Sequence, residues 1–461
     1  MRLPPVAPVL LAALLWPAAG PAQGATRLAR EVLAEMVSQR TTTEGSTTPL
    51  AESLAARFRA AGFPAEDVLL LGAGTEDRNL VVRLRGRDRT RPPRLFGAHL
   101  DVVGAEPPLW SADPWTLTER DGVLYGRGVQ DDKGPAASLV AAFLTLQADG
   151  VVPAGDLLLM LTAGEESGKN NGVDWLVTNR PDLTRAEFAI IADAGGGEMV
   201  AGAPVAFSVQ SAEKIYLDVT LTARGPGGHS SVPNGPSPID RLARAISAVG
   251  AFTFPVTLNP VAREFLRARA TMTPGAQGAA MAAIARDPSD AAAARTLSAD
   301  PALNALLRTT CIVSLVSGGT APNAIPAEAT ANVNCRVIPG TEPDSVVATL
   351  RRLAAPAQVE VTVAYPARPS PPSVLPAVLR TAITESLAAT VGPVPIIPFM
   401  EMGATDGVYL RNLGIPTFGV IGLFTADAEL RTMHGNDERV TAAAYDRSVE
   451  FMLQLVRRLA R

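Results

Sequence analysis

What most limits how this chain can fold is a rhythm of apolar strands and helices that starts, breaks off and starts again. Two helices, Thr26 to Arg40 and Thr47 to Ala61, lead into apolar runs at Asn79 to Leu84 and Arg94 to Leu100 that read as strands. An Ala/Leu helix (Gly134 to Asp149), an apolar strand (Asp156 to Leu161), a short helix (Val173 to Thr178) and a buried strand (Ala186 to Ile191) follow. Strands that alternate with helices imply an α/β sheet covered on both faces. Such a sheet presents its chemistry at the carboxyl ends of its strands. From Lys214 the order becomes strand (Ile215 to Ala223), helix (Pro238 to Val249), two strands (Cys311 to Val316, Ala329 to Ile338), helix (Asp344 to Leu353) and strand (Val359 to Val363). That order suits a small α+β unit with its helices on one face. An Ala-rich, largely helical stretch from Phe254 to Arg308 reads as an insertion within it. After Pro366 the α/β rhythm resumes, through a helix near Val378 to Ala389, a strand at Thr417 to Ile421 and a closing amphipathic helix from Ala442 to Leu459. The expected fold class is therefore α/β, with a first domain built from 25–211 and 367–461 and interrupted by a second at 212–366, the insertion being 254–308.

Composition limits the partners. With 461 residues, 47% hydrophobic and 19% charged, the chain has the balance of an ordinary globular protein and enough length for two domains. A net charge of -4 and the lack of any long Lys/Arg run leave no basic field for nucleic acid, so small molecules are the expected partners. Residues 1–24 read as a signal peptide: Arg2 is the positive start, an apolar run extends from Val6 to Ala19, and Ala22-Gln23-Gly24 supplies small residues for cleavage. The run is too short to span a bilayer and contains Pro8 and Pro17, so export to a periplasm or the exterior, with no stable membrane anchor, is the expectation. Only Cys311 and Cys335 bear on redox state. They flank a turn near Asn323, so antiparallel strands would bring them opposite each other. An oxidising compartment would allow a disulfide, and two buried free thiols are the equal alternative.

The chain has three histidines, His99, His229 and His434, and each sits among carboxylates, glycines or hydroxyls. In GAHLDVV, His99 and Asp101 lie two apart at a strand end and share a face, so the carboxylate can orient the imidazole. In YGRGVQDDKGP the glycines permit a tight approach to a helix start, leaving Asp131 where its two oxygens can bridge a pair of cations. Helix capping by Asp131 or Asp132 is the plainer explanation of that motif alone. In TAGEESG adjacent glutamates follow an apolar strand, so one can bind a metal while the other takes a proton from water. Two histidines with Asp131, Glu166 and Asp193 make five N/O ligands of the kind that hold two zinc-like ions. No G-x-S-x-G elbow and no motif around either cysteine supplies a competing nucleophile.

Seven motifs, GAHLDVV, YGRGVQDDKGP, TAGEESG, IIADAGGG, GPGGHSSVP, APNAIP and TMHGNDE, occur in the order found in the zinc-dependent aminoacylase, carboxypeptidase and dipeptidase family, which the chain resembles from about Thr26 to its end. GGHSSVP, the helical insertion and DAGGG are most similar to the secreted or vacuolar carboxypeptidase and N-acyl-amino-acid hydrolase branch. The resemblance implies a zinc-peptidase catalytic domain, with a mixed central sheet flanked by helices, interrupted by a ferredoxin-like lid domain. It implies two Zn(2+) per chain, with Co or Mn as substitutes. Asp131 would bridge them, His99 and Asp193 would complete one site, and Glu166 and His434 the other. It further implies Glu165 as general base, Asp101 orienting His99, and His229 reaching the scissile carbonyl oxygen in cis or from a partner subunit of a lid-mediated homodimer. Asn323 and Arg336 match substrate contacts, and Arg336 would clamp an α-carboxylate with its bidentate fork.

Asp132 stands where the family commonly has methionine, Asn334 where it has aspartate, and GATDG (403–407) only approximates the usual glycine-serine-aspartate pattern. These departures leave every ligand in place and bear on the shape of the pocket. The expected activity is cleavage of the amide bond of a C-terminal amino acid in short peptides. An N-acyl-amino-acid deacylase is the alternative, and a catalytically silent ligand-binding homologue is the reading from another class.

Overall fold

The computed structural model describes residues 21–461 except residue 169, so the apolar run read as a leader lies outside the described residues. The first described helix, Pro21–Ser38, begins earlier than expected and runs through the small-residue cleavage motif.

Ten strands form the main sheet, in the order Val68–Leu71, Asn79–Leu84, Leu157–Thr162, Arg94–His99, Phe188–Ile191, Thr417–Gly419, Ala203–Glu213, Gly196–Val200 and Phe424–Thr425, with Ile396–Glu401 also pairing with Ala203–Glu213. The four strands from Leu157–Thr162 to Thr417–Gly419 run parallel, and antiparallel strands flank them, making the sheet mixed. Leu157–Thr162 and Phe188–Ile191 are buried at every position, as expected for parallel strands covered on both faces. One face carries the helices Pro21–Ser38, Lys133–Ala148 and Ala442–Leu459; on the other, Val173, Leu176 and Leu410 pack on Val81, Leu95 and Met160.

The second sheet has four antiparallel strands in the order Thr310–Gly318, Glu328–Val337, Ile215–Arg224 and Glu360–Tyr365. Helices Pro238–Ala251 and Pro343–Ala354 pack on one face through Leu242, Ala245, Val249, Val346, Val347 and Leu350. The chain order βαββαβ with this strand order is the ferredoxin-like arrangement. Residues 254–308 are largely helical, as read. Their apolar side chains, Val261, Leu266 and Ile284 among them, pack on Ala212 and Met400 of the main sheet as well as on Ile338.

Strands Ala203–Glu213 and Ile396–Glu401 escaped the sequence reading because Pro204, Ser208, Gln210, Ser211 and Pro398 interrupt their apolar runs. The three-stranded ribbon Arg439–Thr441, Val123–Tyr125 and Thr118–Arg120 has only three residues per strand, too few for a periodicity to register.

Candidate metal centre

Three adjacent parallel strands deliver three of the loops that carry expected ligands. Arg94–His99 ends on His99 itself, its register neighbour Thr162 leads into Glu165 and Glu166, and Phe188–Ile191 leads into Asp193. The short ribbon supplies the remaining two. Pairing of Arg439 with Tyr125 sets the loop ending in His434–Glu438 beside the loop 126–132 that carries Asp131. Five expected ligands from distant parts of the chain thus meet in two groups, His99 with Asp131 and Asp193, and Glu166 with Asp131 and His434. Within each group the donor atoms lie within 4.8 Å of one another.

Asp131 is shared. Its Oδ1 is 2.9 Å from His99 Nε2, and its Oδ2 is 2.9 Å from His434 Nε2. His99 Nε2 is 3.7 Å from Asp193 Oδ1, and His434 Nε2 is 3.0 Å from Glu166 Oε1. Glu166 Oε1 is buried and, His434 apart, has no hydrogen-bond partner among the described residues. His99 Nδ1 donates to the Asp101 backbone carbonyl at 2.9 Å, which can only accept, so Nε2 is the ring nitrogen turned to the cluster: it donates to the carboxylates while the ring is protonated and offers a lone pair to a cation once that proton leaves. The Asp101 carboxylate lies farther from Nδ1, at 3.8 Å, and instead accepts the backbone N–H groups of Glu165 (3.2 Å) and Glu166 (3.0 Å). Asp101 therefore orients His99 through its main chain and fixes the glutamate turn through its side chain. Asp132 accepts the backbone N–H of His99 at 2.9 Å.

Electrostatics mark the cluster as built for cations. Burial lifts Asp193 to about 7 against the hydrogen bond from His99. Burial and then the charge of Asp193 hold Glu165 well above the usual carboxylate range, which suits a group that must take and return a proton. Burial disfavours charge on Asp131, but hydrogen bonds from His434 and His99 outweigh it and keep the carboxylate ionised. Hydrogen bonds to Asp131 and Glu166 raise His434 to about 10. Carboxylates crowded enough to retain protons face imidazoles that gain them, and this N/O donor set fits zinc-like ions.

Sequence reasoning missed Glu438, Arg127 and Asp406. The wholly buried Glu438 accepts the N–H groups of Gly128 (2.9 Å) and Gln130 (2.8 Å) and pairs with Arg127 at 2.7 Å. Arg127 donates in turn to the carbonyl of Gly435 at 2.8 Å, so one ion pair joins the two loops that carry Asp131 and His434. The signal was an acid four residues beyond His434 in TMHGNDE and an arginine four before Asp131 in YGRGVQD. Asp406, inside GATDG, accepts from Thr162 and Asn171 behind the glutamate turn.

The other expected residues lie on the four-stranded unit. His229 and Asn323 are brought to one place, where Gly228–His229 pairs with Ala324–Ile325 and the Ser230 N–H donates to the Asn323 carbonyl at 3.1 Å. His229 is exposed, with Nδ1 2.7 Å from the Ser231 hydroxyl. Arg336 stacks over Tyr216 at 4.7 Å and donates to Asn334; among the described residues it has no carboxylate within ion-pair distance, and, against the effect of burial, its charge helps lower the pKa of Asp218. Arg336, Asn334 and Thr310 border a cavity of about 500 Å³ with Ile246, Val249 and Ile312. Among the described residues no hydrogen bond or ion pair joins His229, Asn323 or Arg336 to the cluster around Asp131.

A pair of N/O sites sharing a carboxylate at the strand ends of an α/β sheet defines a metallohydrolase. The pattern of peptidase family M20/M25/M40 matches residues 95–458, and the chain belongs to that family. It is 26% identical over 405 residues to the human N-fatty-acyl-amino acid synthase/hydrolase PM20D1, covering 83% of this chain and 77% of that protein. It is 26% identical over 403 residues to the probable carboxypeptidase S-like 2 of Dictyostelium discoideum, covering 82% and 74%. The fold is similar to the M20 family metallo-carboxypeptidase Sso-CP2 from Sulfolobus solfataricus, with a TM-score of 0.70 and 19% identity over 94% of this chain and 99% of that one.

Proposed function

We propose that the protein is a two-zinc hydrolase that cleaves the amide bond preceding a C-terminal amino acid in short peptides. The observation that carries this reading is the single carboxylate of Asp131 with one oxygen 2.9 Å from each ligand histidine. His99, Asp131 and Asp193 would hold one cation, and Asp131, Glu166 and His434 the other. Such a pair supplies a lowered water pKa and a polarised scissile carbonyl. Glu165 takes the proton of the attacking water and passes it to the leaving nitrogen. Its raised pKa supports both halves of that task. Asp101 holds Glu165 and Glu166 by their backbone N–H groups, and His99 by its own carbonyl.

The four-stranded unit acts as a lid: closing, it carries His229 to the carbonyl oxygen, where an N–H donor stabilises developing negative charge. Asn323 travels with it. Arg336, which makes no direct ion pair among the described residues, takes the α-carboxylate of the substrate in a bidentate pair. A second reading, hydrolysis of N-acyl amino acids, is favoured by the likeness to PM20D1. Both reactions break an amide on the nitrogen of an amino acid with a free carboxylate. Export suits the Cys311–Cys335 disulfide, a bond of oxidising compartments. The lids would join two chains, since Thr310–Gly318 is an edge strand with Ile312, Leu315 and Val316 exposed.

A panel of dipeptides, N-acetyl and N-fatty-acyl amino acids, assayed for release of the free amino acid, tests the reading. Chelator should abolish release, and Glu165→Ala should lower kcat by roughly 10²–10⁴-fold with zinc retained. A Glu165→Ala protein as fast as the parent would remove Glu165 from its role, and a parent inert on the whole panel would end the proposal.

A further inference from the structure

The chain leaves the main sheet for the four-stranded one in a single residue, Lys214, between Ala203–Glu213 and Ile215–Arg224. It returns after Glu360–Tyr365 through 366–376. Both passages are fastened to one carboxylate. Glu213, wholly buried, accepts from Arg411 Nη1 at 2.7 Å, the Ser370 hydroxyl at 2.9 Å, both the backbone N–H and the hydroxyl of Thr405 at 2.8 Å, and Gln210 at 3.3 Å. Glu213 belongs to the outward passage, Ser370 to the return, and Thr405 and Arg411 to the main-sheet part. Arg411 also donates twice to the Thr417 carbonyl, at 3.2 and 3.0 Å. The Ser373 N–H reaches the Ser211 carbonyl at 2.7 Å, lacing return to outward strand.

From this knot, contacts run on to the ligand loops. Asp406 follows Thr405 and accepts from Thr162, the register neighbour of His99, at 2.9 Å, and from Asn171 at 2.6 Å. Asn171 caps Gly172–Asn179, the helix after the glutamate turn, and the return passage grips that helix through a bidentate Arg368–Asp174 pair at 3.0 and 2.8 Å. A buried ion pair is a weak source of net stability, because desolvation offsets its attraction. This one lies where three chain segments converge, and what it supplies is a fixed geometry.

We propose that Glu213, clamped by Arg411, is a positioning residue: it fixes the pivot on which the four-stranded unit meets the metal-binding end, and thereby aligns His229 and Asn323 for the reaction. The proposal rests on the lid reading given above. It assigns to Thr405 and Asp406 the task of relaying that pivot to the turn carrying Glu165 and Glu166.

Two variants and a matched control test it in the zinc-loaded, full-length protein. Glu213→Gln keeps the shape and removes the charge. Ser370→Ala removes only the bond to the return passage. Ser386→Ala deletes an equally buried hydroxyl that bonds to the Ala382 carbonyl inside the helix Ala377–Thr390. On the parent's best substrate from the panel, Glu213→Gln should lower kcat by about tenfold or more and Ser370→Ala by about threefold, since small misplacements of reacting groups cost rate steeply. Zinc content should stay at the parent level, and Ser386→Ala should match the parent. By hydrogen exchange, the amides of residues 214–216 and 370–373 should exchange faster in both hinge variants and unchanged in the control. Parent-like kcat and exchange in Ser370→Ala, with Glu213→Gln either parent-like or unfolded, would overturn the proposal. Activity lost only in step with zinc would overturn it too. If the parent hydrolyses nothing, the functional reading fails, and the exchange comparison still decides the pivot.

Discussion

At the scale of single residues, burial and crowding of carboxylates set the protonation of the cluster. Asp193 and Asp406 have folded pKa values raised by burial to about 7 and about 6, so between pH 4 and those values the folded state binds more protons than the unfolded one. Their contribution to stability is present below the unfolded value near 3.8 and is lost as pH rises through the folded one. The metal-free protein should therefore lose thermal stability between about pH 4 and 7, and zinc should flatten that slope by replacing protons. Melting curves of chelated and zinc-loaded protein across that range check it, and equal slopes would contradict it. The side chains that meet in the cluster were legible because each sits in a short motif, those of His99, Glu166 and Asp193 at or just past the ends of parallel strands. Glu438 and Arg127 were not, since their meaning lies in backbone N–H groups and carbonyls of two distant loops, which no local pattern encodes. Glu213 is further still from legibility: its partners come from 370, 405 and 411, and only the folded chain sets them side by side.

Among the elements, the pair Thr310–Gly318 and Glu328–Val337 shows a question left open by sequence and closed by register. Cys311 lies directly opposite Cys335, with Cα atoms 4.0 Å apart and the disulfide formed. The bridge ties an edge strand to its neighbour beside Thr310 and Arg336. Closing a loop across 24 residues should stabilise the fold by ~3 kcal/mol, through the entropy removed from the unfolded chain. Melting with and without reductant, beside a Cys311→Ser/Cys335→Ser double variant, should show that loss; a parent insensitive to reductant whose thiols titrate as free would refute it. The long apolar strands were readable by their unbroken burial. Strands interrupted by proline and polar residues, and ribbons of three residues, were not, because their identity comes from partners elsewhere in the chain.

For the whole molecule, the change of rhythm at Lys214 and its resumption after Pro366 fall where the chain passes between two sheets, the strands from Ile215–Arg224 to Glu360–Tyr365 pairing apart from those before and after them, whereas the helical stretch 254–308 leans on the main sheet as well. The exposed edge of the four-stranded sheet makes assembly testable. Light scattering should give twice the chain mass, and Leu315→Lys, which sets a charge on that edge, should halve it; a parent that stays monomeric at assay concentration would remove the dimer. The two halves of the centre also differ in access. His99 is 2% exposed and His434 51%. An ion held on the inner side would be walled in, whereas one on the outer side would meet solvent directly, so exchange with the medium should proceed in sequence. Dialysis against a weak chelator would then leave singly occupied chains as a long-lived species, and an enzyme of this build could trade its outer ion for another without unfolding.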